Sequence, residues 1–205
     1  MLDLMLLIQA PVPALTEPAS RIGGAPLADG DRVWPHCARC DGPMQFLGQL
    51  RAPGAKSAAG HLVTMFMCQN NPGMCEEWDA EAGGNAVWIQ PARAGSLLAA
   101  PTRGVTRLAS SYGLEAVAVT ASGYDDAFGE WRAKHGADGR RAMGGLFGEP
   151  SWIQADETPA CDACRQPMRF VAQLEEGPDM NFGGGCAYVF DCACGADRGK
   201  MVWQQ

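Results

Sequence analysis

Pro159-Ala-Cys161-Asp-Ala-Cys164-Arg-Gln-Pro167-Met168-Arg-Phe170-Val-Ala-Gln173-Leu174 has a twin earlier in the chain, Pro35-His-Cys37-Ala-Arg-Cys40-Asp-Gly-Pro43-Met44-Gln-Phe46-Leu-Gly-Gln49-Leu50. Sliding the sequence against itself by 124 positions, without gaps, brings residues 24–68 over 148–192. Gly24, Pro26, Pro35, Cys37, Cys40, Pro43, Met44, Phe46, Gln49, Leu50, Gly60, Phe66 and Cys68 then meet identical residues. Self-similarity at a fixed offset is the mark of a repeated structural unit. The expectation is an internal duplication of one cysteine-bearing unit.

In each copy the Cys-x2-Cys is followed, after 27 intervening residues, by a third cysteine, Cys68 or Cys192. A fourth lies close behind, Cys75 after six residues and Cys194 after one. Two cysteine pairs delivered by turns or strand ends can close a tetrahedron of thiolates around zinc. A lone free cysteine is ordinarily a small buried hydrophobe, but two matched sets of four have ligand count and spacing in common. The expectation is two structural zinc ions, one on Cys37, Cys40, Cys68 and Cys75, the other on Cys161, Cys164, Cys192 and Cys194. A single iron atom is the chemical rival in the same geometry. Cys192-x-Cys194 is tighter than a usual knuckle, so Asp191 or Asp197 stands as a substitute ligand there, and His36 in the first set. Cys186 aligns with Leu62 and reads as core.

A closed four-thiolate site has no open position for water, so it staples a fold without catalysing. Loading both sites would move the formal charge from −7 to about −11, since four thiolates and one Zn²⁺ leave a net −2 per site. The context speaks against a thioredoxin-like role for Cys37-x-x-Cys40, because the motif leads into Pro43 and a strand, not a helix that would lower a thiol pKa. His-Glu-x-x-His, the zinc deaminase signature, a Gly-x-Ser-x-Gly elbow and a phosphate-binding loop are all missing.

Glycine (26) and proline (14) separate short apolar runs, which favours strands and turns. Leu4 to Ile8 reads as a first strand, followed by a Pro-rich extended segment and a turn at Gly23-Gly24. Met44 to Leu50 reads as a strand with Met44, Phe46 and Leu50 on one face and Leu47 and Gln49 on the other. His61 to Cys68 reads as its partner, with Leu62, Phe66 and Cys68 on one side. Val87 to Gln90 closes the first copy, as Met201 to Gln204 closes the second. Leu114 to Thr120 alternates weakly. Residues 122–135 read as the one helix, with Tyr124, Phe128 and Trp131 on a core-facing stripe, Ser122 as cap and Gly136 as stop. Gln49 and Gln173 are expected to bond backbone across the sheet. The boundaries that follow are 1–95 for the first β lobe, 96–143 for the connecting segment with its helix, and 144–205 for the second lobe.

No stretch approaches the length of a membrane-spanning helix, and no Lys or Arg precedes Arg21, so the basic start of a secretory signal is missing. Nine cysteines then point to metal before disulfides, and the cytoplasm is the expected address. The acidic balance repels nucleic acid and suits a basic partner. Arg132, Lys134, Arg140 and Arg141 form one short basic group, read as a solvated helix end.

Arg21-Ile-Gly-Gly-x-Pro, Trp34-Pro-x-Cys-x-x-Cys, Phe66-x-Cys68, Cys75 and Trp88 resemble the first half of the programmed cell death protein 2 family. Gly144-Gly145, Pro150-x-Trp152-Ile153-Gln154, Cys161-x-x-Cys164, Met168-x-Phe170 and Tyr188-Val-Phe190 resemble the related bacterial YwqG-like proteins, of unknown function. The resemblance implies a β-rich fold of two similar sheets and, from the eukaryotic relatives, a chaperone-like grip on a ribosomal protein. The combined expectation is a mainly β (α+β) protein of two similar antiparallel lobes, stapled by zinc and joined through one amphipathic helix. It would act as a protein-binding module toward a basic client. The alternative is an enzyme of unknown reaction with its site in the cleft between the lobes. Nucleic-acid binding through zinc ribbons ranks last.

Overall fold

The computed structural model describes residues 4–53, 60–93, 95–136, 141–195 and 197–205. In chain order the elements are β1 (Leu4–Ala10), β2 (Arg21–Ile22), β3 (Leu27–Ala28), β4 (Gln45–Ala52), β5 (His61–Met67), β6 (Asn85–Pro91), β7 (Ser96–Leu97), β8 (Tyr112–Val119), α1 (Tyr124–His135), β9 (Ala142–Leu146), β10 (Arg169–Glu175), β11 (Cys186–Asp191) and β12 (Arg198–Gln204). Ten strands close into one antiparallel barrel in the order β1-β8-β2-β4-β5-β6-β12-β11-β10-β9, and β3 and β7 form a two-stranded sheet beside it. Among the described residues the protein is thus mainly β with one helix, as its short apolar runs suggest.

The strands expected to form two lobes share a single barrel. One half runs β8-β2-β4-β5-β6 and the other β1-β9-β10-β11-β12. β1 pairs with β8 and β9, both from beyond residue 95, and β2 pairs with β8. The second half therefore takes β1 from the start of the chain, and the first takes β8 from the segment that connects the two cysteine sets.

The halves match in register as well as order. Phe46 lies opposite Phe66 and Phe170 opposite Phe190, and in both ladders the register slips at the next step, before Gly48 and before Ala172. This bulge corrects the face assignment made from alternation. The extra residue resets the pleat, so Leu47 and Leu50 both face the barrel interior while Phe46 packs outside with Trp34, Met44 and Phe66.

Inside the barrel, Leu47, Leu50, Val63, Met65 and Met67 of one half meet Val171, Leu174, Val189 and Met201 of the other. Flexible methionines fill the gaps of a barrel too wide for branched side chains alone. Each such burial stabilises the fold by about 1.5–3 kcal/mol relative to exposure. The outer faces are covered too, and for that reason β5 and β11 are buried almost throughout instead of alternating. Trp34, Phe46, Phe66 and Trp88 cover one half and Tyr188, Phe190, Trp152 and Phe170 the other.

Helix α1 lies on the outside, with Tyr124, Ala127, Phe128 and Trp131 against Leu4, Leu6 and Ile8 of β1 and Ala142 of β9. Its cap is Gly123 instead of Ser122, whose hydroxyl reaches forward to Asp126. Gly136 ends the helix in a right-handed conformation, its N–H on the Arg132 carbonyl. A left-handed glycine was therefore not what the stop required. Of the basic group, Arg140 lies outside the described residues. No helix among the described residues is long and apolar enough to cross a membrane.

Candidate metal centres

Each Cys-x-x-Cys sits in a tight knuckle that begins and ends in hydrogen bonds. In the first, the Cys37 N–H donates to the Gly42 carbonyl, Asp41 N–H to Cys37 O, and Met44 N–H to Pro35 O. In the second, Cys161 donates to Gln166 O, Arg165 to Cys161 O, and Met168 to Pro159 O. Asp41 and Arg165 hold φ of 56° and 61°, a left-handed conformation that non-glycine residues adopt at some cost. The knuckle turns that sharply in both places.

Cys68 and Cys192 arrive at the ends of β5 and β11. Cys75 comes from the loop after β5, where the buried Glu77 carboxylate accepts the Gly73 and Cys75 N–H groups. Asn85 ties that loop to the backbone of Glu77, Asp79 and Met201. Cys194 comes from a turn closed by Gly195 N–H on Cys192 O.

The structure brings together all eight cysteines singled out by the sequence. Cys37, Cys40, Cys68 and Cys75 form one cluster and Cys161, Cys164, Cys192 and Cys194 the other, with the sulfurs of each within 4.8 Å of one another. Cys40 and Cys68 sulfurs are 3.6 Å apart, Cys161 and Cys194 3.8 Å, and Cys164 and Cys192 3.4 Å. These are not disulfides, since all nine cysteines are free. Metal–sulfur bonds of about 2.3 Å place the corners of a regular tetrahedron about 3.8 Å apart, so the spacing and the donor set fit a four-coordinate metal ion. Cys192-x-Cys194 reaches the geometry because its turn is tight enough to aim both sulfurs inward.

The stand-in ligands are committed elsewhere. Asp191 accepts Arg169 Nε and Nη2 at 3.0 and 2.8 Å and lies 3.4 Å from His61 Nε2. Asp197 faces Arg32, and His36 Nδ1 lies 2.8 Å from the Asp41 carbonyl oxygen. Cys186 is buried apart from both clusters, its thiol on the Tyr188 hydroxyl at 3.1 Å. Burial pushes that thiol up to about 11. Gln49 and Gln173 bond no backbone of a neighbouring strand, and Gln173 reaches across only to a side chain, its Nε2 donating to Cys186 Sγ of β11 at 3.4 Å. Their carbonyl oxygens accept the N–H of Leu27 and of Ser151, pinning the incoming segment of each half.

The sulfurs within a cluster are electrostatically unequal. The Gly42 N–H draws the Cys40 thiol down, while burial and the neighbouring sulfurs push Cys75 up. The N–H groups of Cys164 and Ala163 bring Cys161 down to about 7. The Cys194 N–H favours the Cys192 thiolate, yet the adjoining sulfurs together with desolvation push it up to about 12. Four thiolates this close cannot all ionise without a cation among them.

Between the two knuckles, across the β6–β12 seam, lies a cleft of about 380 Å³ lined in part by Val33, His36, Trp88, Asp162, Arg198 and Lys200. Lys200 is 8% exposed and pairs with Glu81 and Asp162. Sequence reading missed Lys200, Glu77 and Asn85. A lysine at one outward strand position was its only signal, and nothing marked its partners.

The fold and its sites define a ten-stranded barrel with two four-cysteine centres that could each hold a metal ion. No protein-family model and no curated protein matches the chain.

Proposed function

We propose that the protein is a zinc-stabilised binding module whose partner is a basic protein segment carrying apolar side chains. Zinc is the preferred ion because a closed all-thiolate tetrahedron suits it. The two halves are copies of one unit that exchanged first strands, in keeping with their shared order and register. The chain is placed with the YwqG-like proteins on the motifs quoted above, with the cytoplasm as its address.

One observation carries the binding reading: the loop that delivers Cys75 presents apolar and acidic side chains together. Met74 is 70% and Trp78 40% exposed, beside the exposed Asp79, with Glu76 paired to Arg39 and Glu81 to Lys200. Val33, 79% exposed, stands at the lip of the neighbouring cleft. Exposed apolar groups rimmed by charge are the ordinary dress of an interaction surface. With zinc bound, each cluster adds about −2 of charge, which favours Lys or Arg on the partner.

The test is fluorescence anisotropy of synthetic Lys/Arg-rich peptides, with and without Leu and Phe, at physiological salt. The apolar-basic peptides bind, purely acidic ones do not, and Met74→Ala weakens binding about fivefold, in line with a loss of about 1 kcal/mol at an interface position. Binding weaker than about 1 mM throughout, or indifference to Met74→Ala, overturns the reading.

A further inference from the structure

Lys200 stands where the two halves meet as equivalents. Phe66 faces Ala86 across β5–β6, and Phe190 faces Lys200 across β11–β12. The seam pairs Arg198 with Trp88 and Gly199 with Val87, so one step further along the ladder Lys200 comes level with Ala86, its own counterpart. A single lysine on the axis of near-symmetry reaches both metal-bearing elements.

Its ammonium bonds Asp162 Oδ1 at 2.8 Å and the Glu81 carboxylate. Asp162 lies inside the Cys161–Cys164 knuckle, and Glu81 belongs to the loop that carries Cys75. That loop and the first residue of β6 cross onto β12 by three further contacts. The Trp203 N–H donates to the Trp78 carbonyl at 3.2 Å, the two indoles meet edge-on at 6.0 Å, and Asn85 Nδ2 donates to Met201 O at 3.0 Å. The Lys200 side chain is only 8% exposed, so its charge requires partners. Both carboxylates are largely exposed, at 62% and 71%, and are held by the lysine rather than by packing.

We propose that Lys200 couples the two metal sites, so that the chain takes up and releases its two ions as a pair. The inference rests on the reading that both clusters bind zinc. An ion at Cys37, Cys40, Cys68 and Cys75 orders the loop bearing Glu81, and Glu81 fixes the Lys200 ammonium. Lys200 then holds Asp162, and with it the Cys161–Cys164 knuckle, in the shape that receives the second ion. Part of the ordering cost of the second site is thereby already met, and the effect is reciprocal by linkage.

The experiment is native mass spectrometry of the full chain during competition with a zinc chelator, counting species with two, one and no ions. In the wild type the one-ion species stays scarce throughout. Lys200→Met makes it accumulate, separating the two apparent affinities by about tenfold, within the usual range of coupling between sites. Lys200→Arg, which keeps the charge, restores the paired loss. Glu81→Gln alters an exposed side chain and repeats the Lys200→Met result even if that variant folds poorly. Unchanged populations in Lys200→Met and Glu81→Gln overturn the coupling while leaving the zinc reading intact. A wild-type chain that never carries two ions overturns both.

Discussion

The two four-cysteine clusters start from the same knuckle and the same strand register, and they finish differently. In the first, six residues separate the third and fourth cysteines and Cys75 is buried, while Trp78 and Glu81, which follow it, lean across the seam onto β12. In the second, one residue separates them, and Cys194 remains exposed with Cys164 half-buried. The lesson is that the first two ligands and the strand ends set where an ion can sit. The length of the closing loop sets how deeply the fourth ligand is buried, Cys75 fully and Cys194 not.

The largest effect should come from breaking what the halves share. β1 pairs with both β8 and β9 and so closes the barrel. Deleting residues 4–10 opens the barrel along two edges and exposes Leu4, Leu6, Leu7 and Ile8 partners. Thermal unfolding followed by circular dichroism should then lose its cooperative transition. A surviving sharp transition would mean that the halves fold independently.

Next come the clusters themselves. Cys68→Ser, at a buried corner of the first cluster, should cost more than about 4 kcal/mol, the range reserved for loss of a structural metal or a buried network. Cys194→Ser, at the exposed corner, should cost under about 2 kcal/mol, because water can take the vacated position. Denaturant midpoints at matched zinc concentration decide the order, and a reversed order would contradict the account of loop length.

A smaller contrast lies at the shared bulge. Ala172 carries a side chain there, whereas a Cβ on Gly48 would come within 2.5 Å of the Arg21 carbonyl oxygen. Gly48→Ala should cost about 1–3 kcal/mol through overpacking. The same denaturant assay reads it, and a neutral result would mean that β2 can draw back from β4. Cys186 offers a chemical check on the ninth cysteine. With its thiol pushed up to about 11 by burial, it stays protonated below that pH, and iodoacetamide at pH 8 should leave it unmodified in the native protein as read by peptide mass.

Much of this was legible in the residues. The cysteine offsets gave the membership of both clusters, because ligand spacing is a local property of knuckles and strand ends. The strand positions of Phe46, Phe66, Phe170 and Phe190 were likewise visible as apolar periodicity. What alternation could not carry was the bulge after Phe46 and Phe170, since one extra residue leaves no compositional trace yet inverts every later face. The barrel itself was hidden for a different reason. Two separate lobes and one closed barrel have the same strand sequence and differ only in long-range pairing, as Arg21 beside Gly113 illustrates. Lys200 was hidden likewise, its partners lying 38 and 119 residues away.

The most direct test is the metal itself. Elemental analysis of the purified chain, paired with X-ray absorption at the metal edge, should find two zinc ions per molecule, each ringed by four sulfurs at about 2.3 Å. A chain that is folded with no bound metal, or a metal shell containing nitrogen and oxygen in place of sulfur, would contradict the claim that each half closes over its own ion.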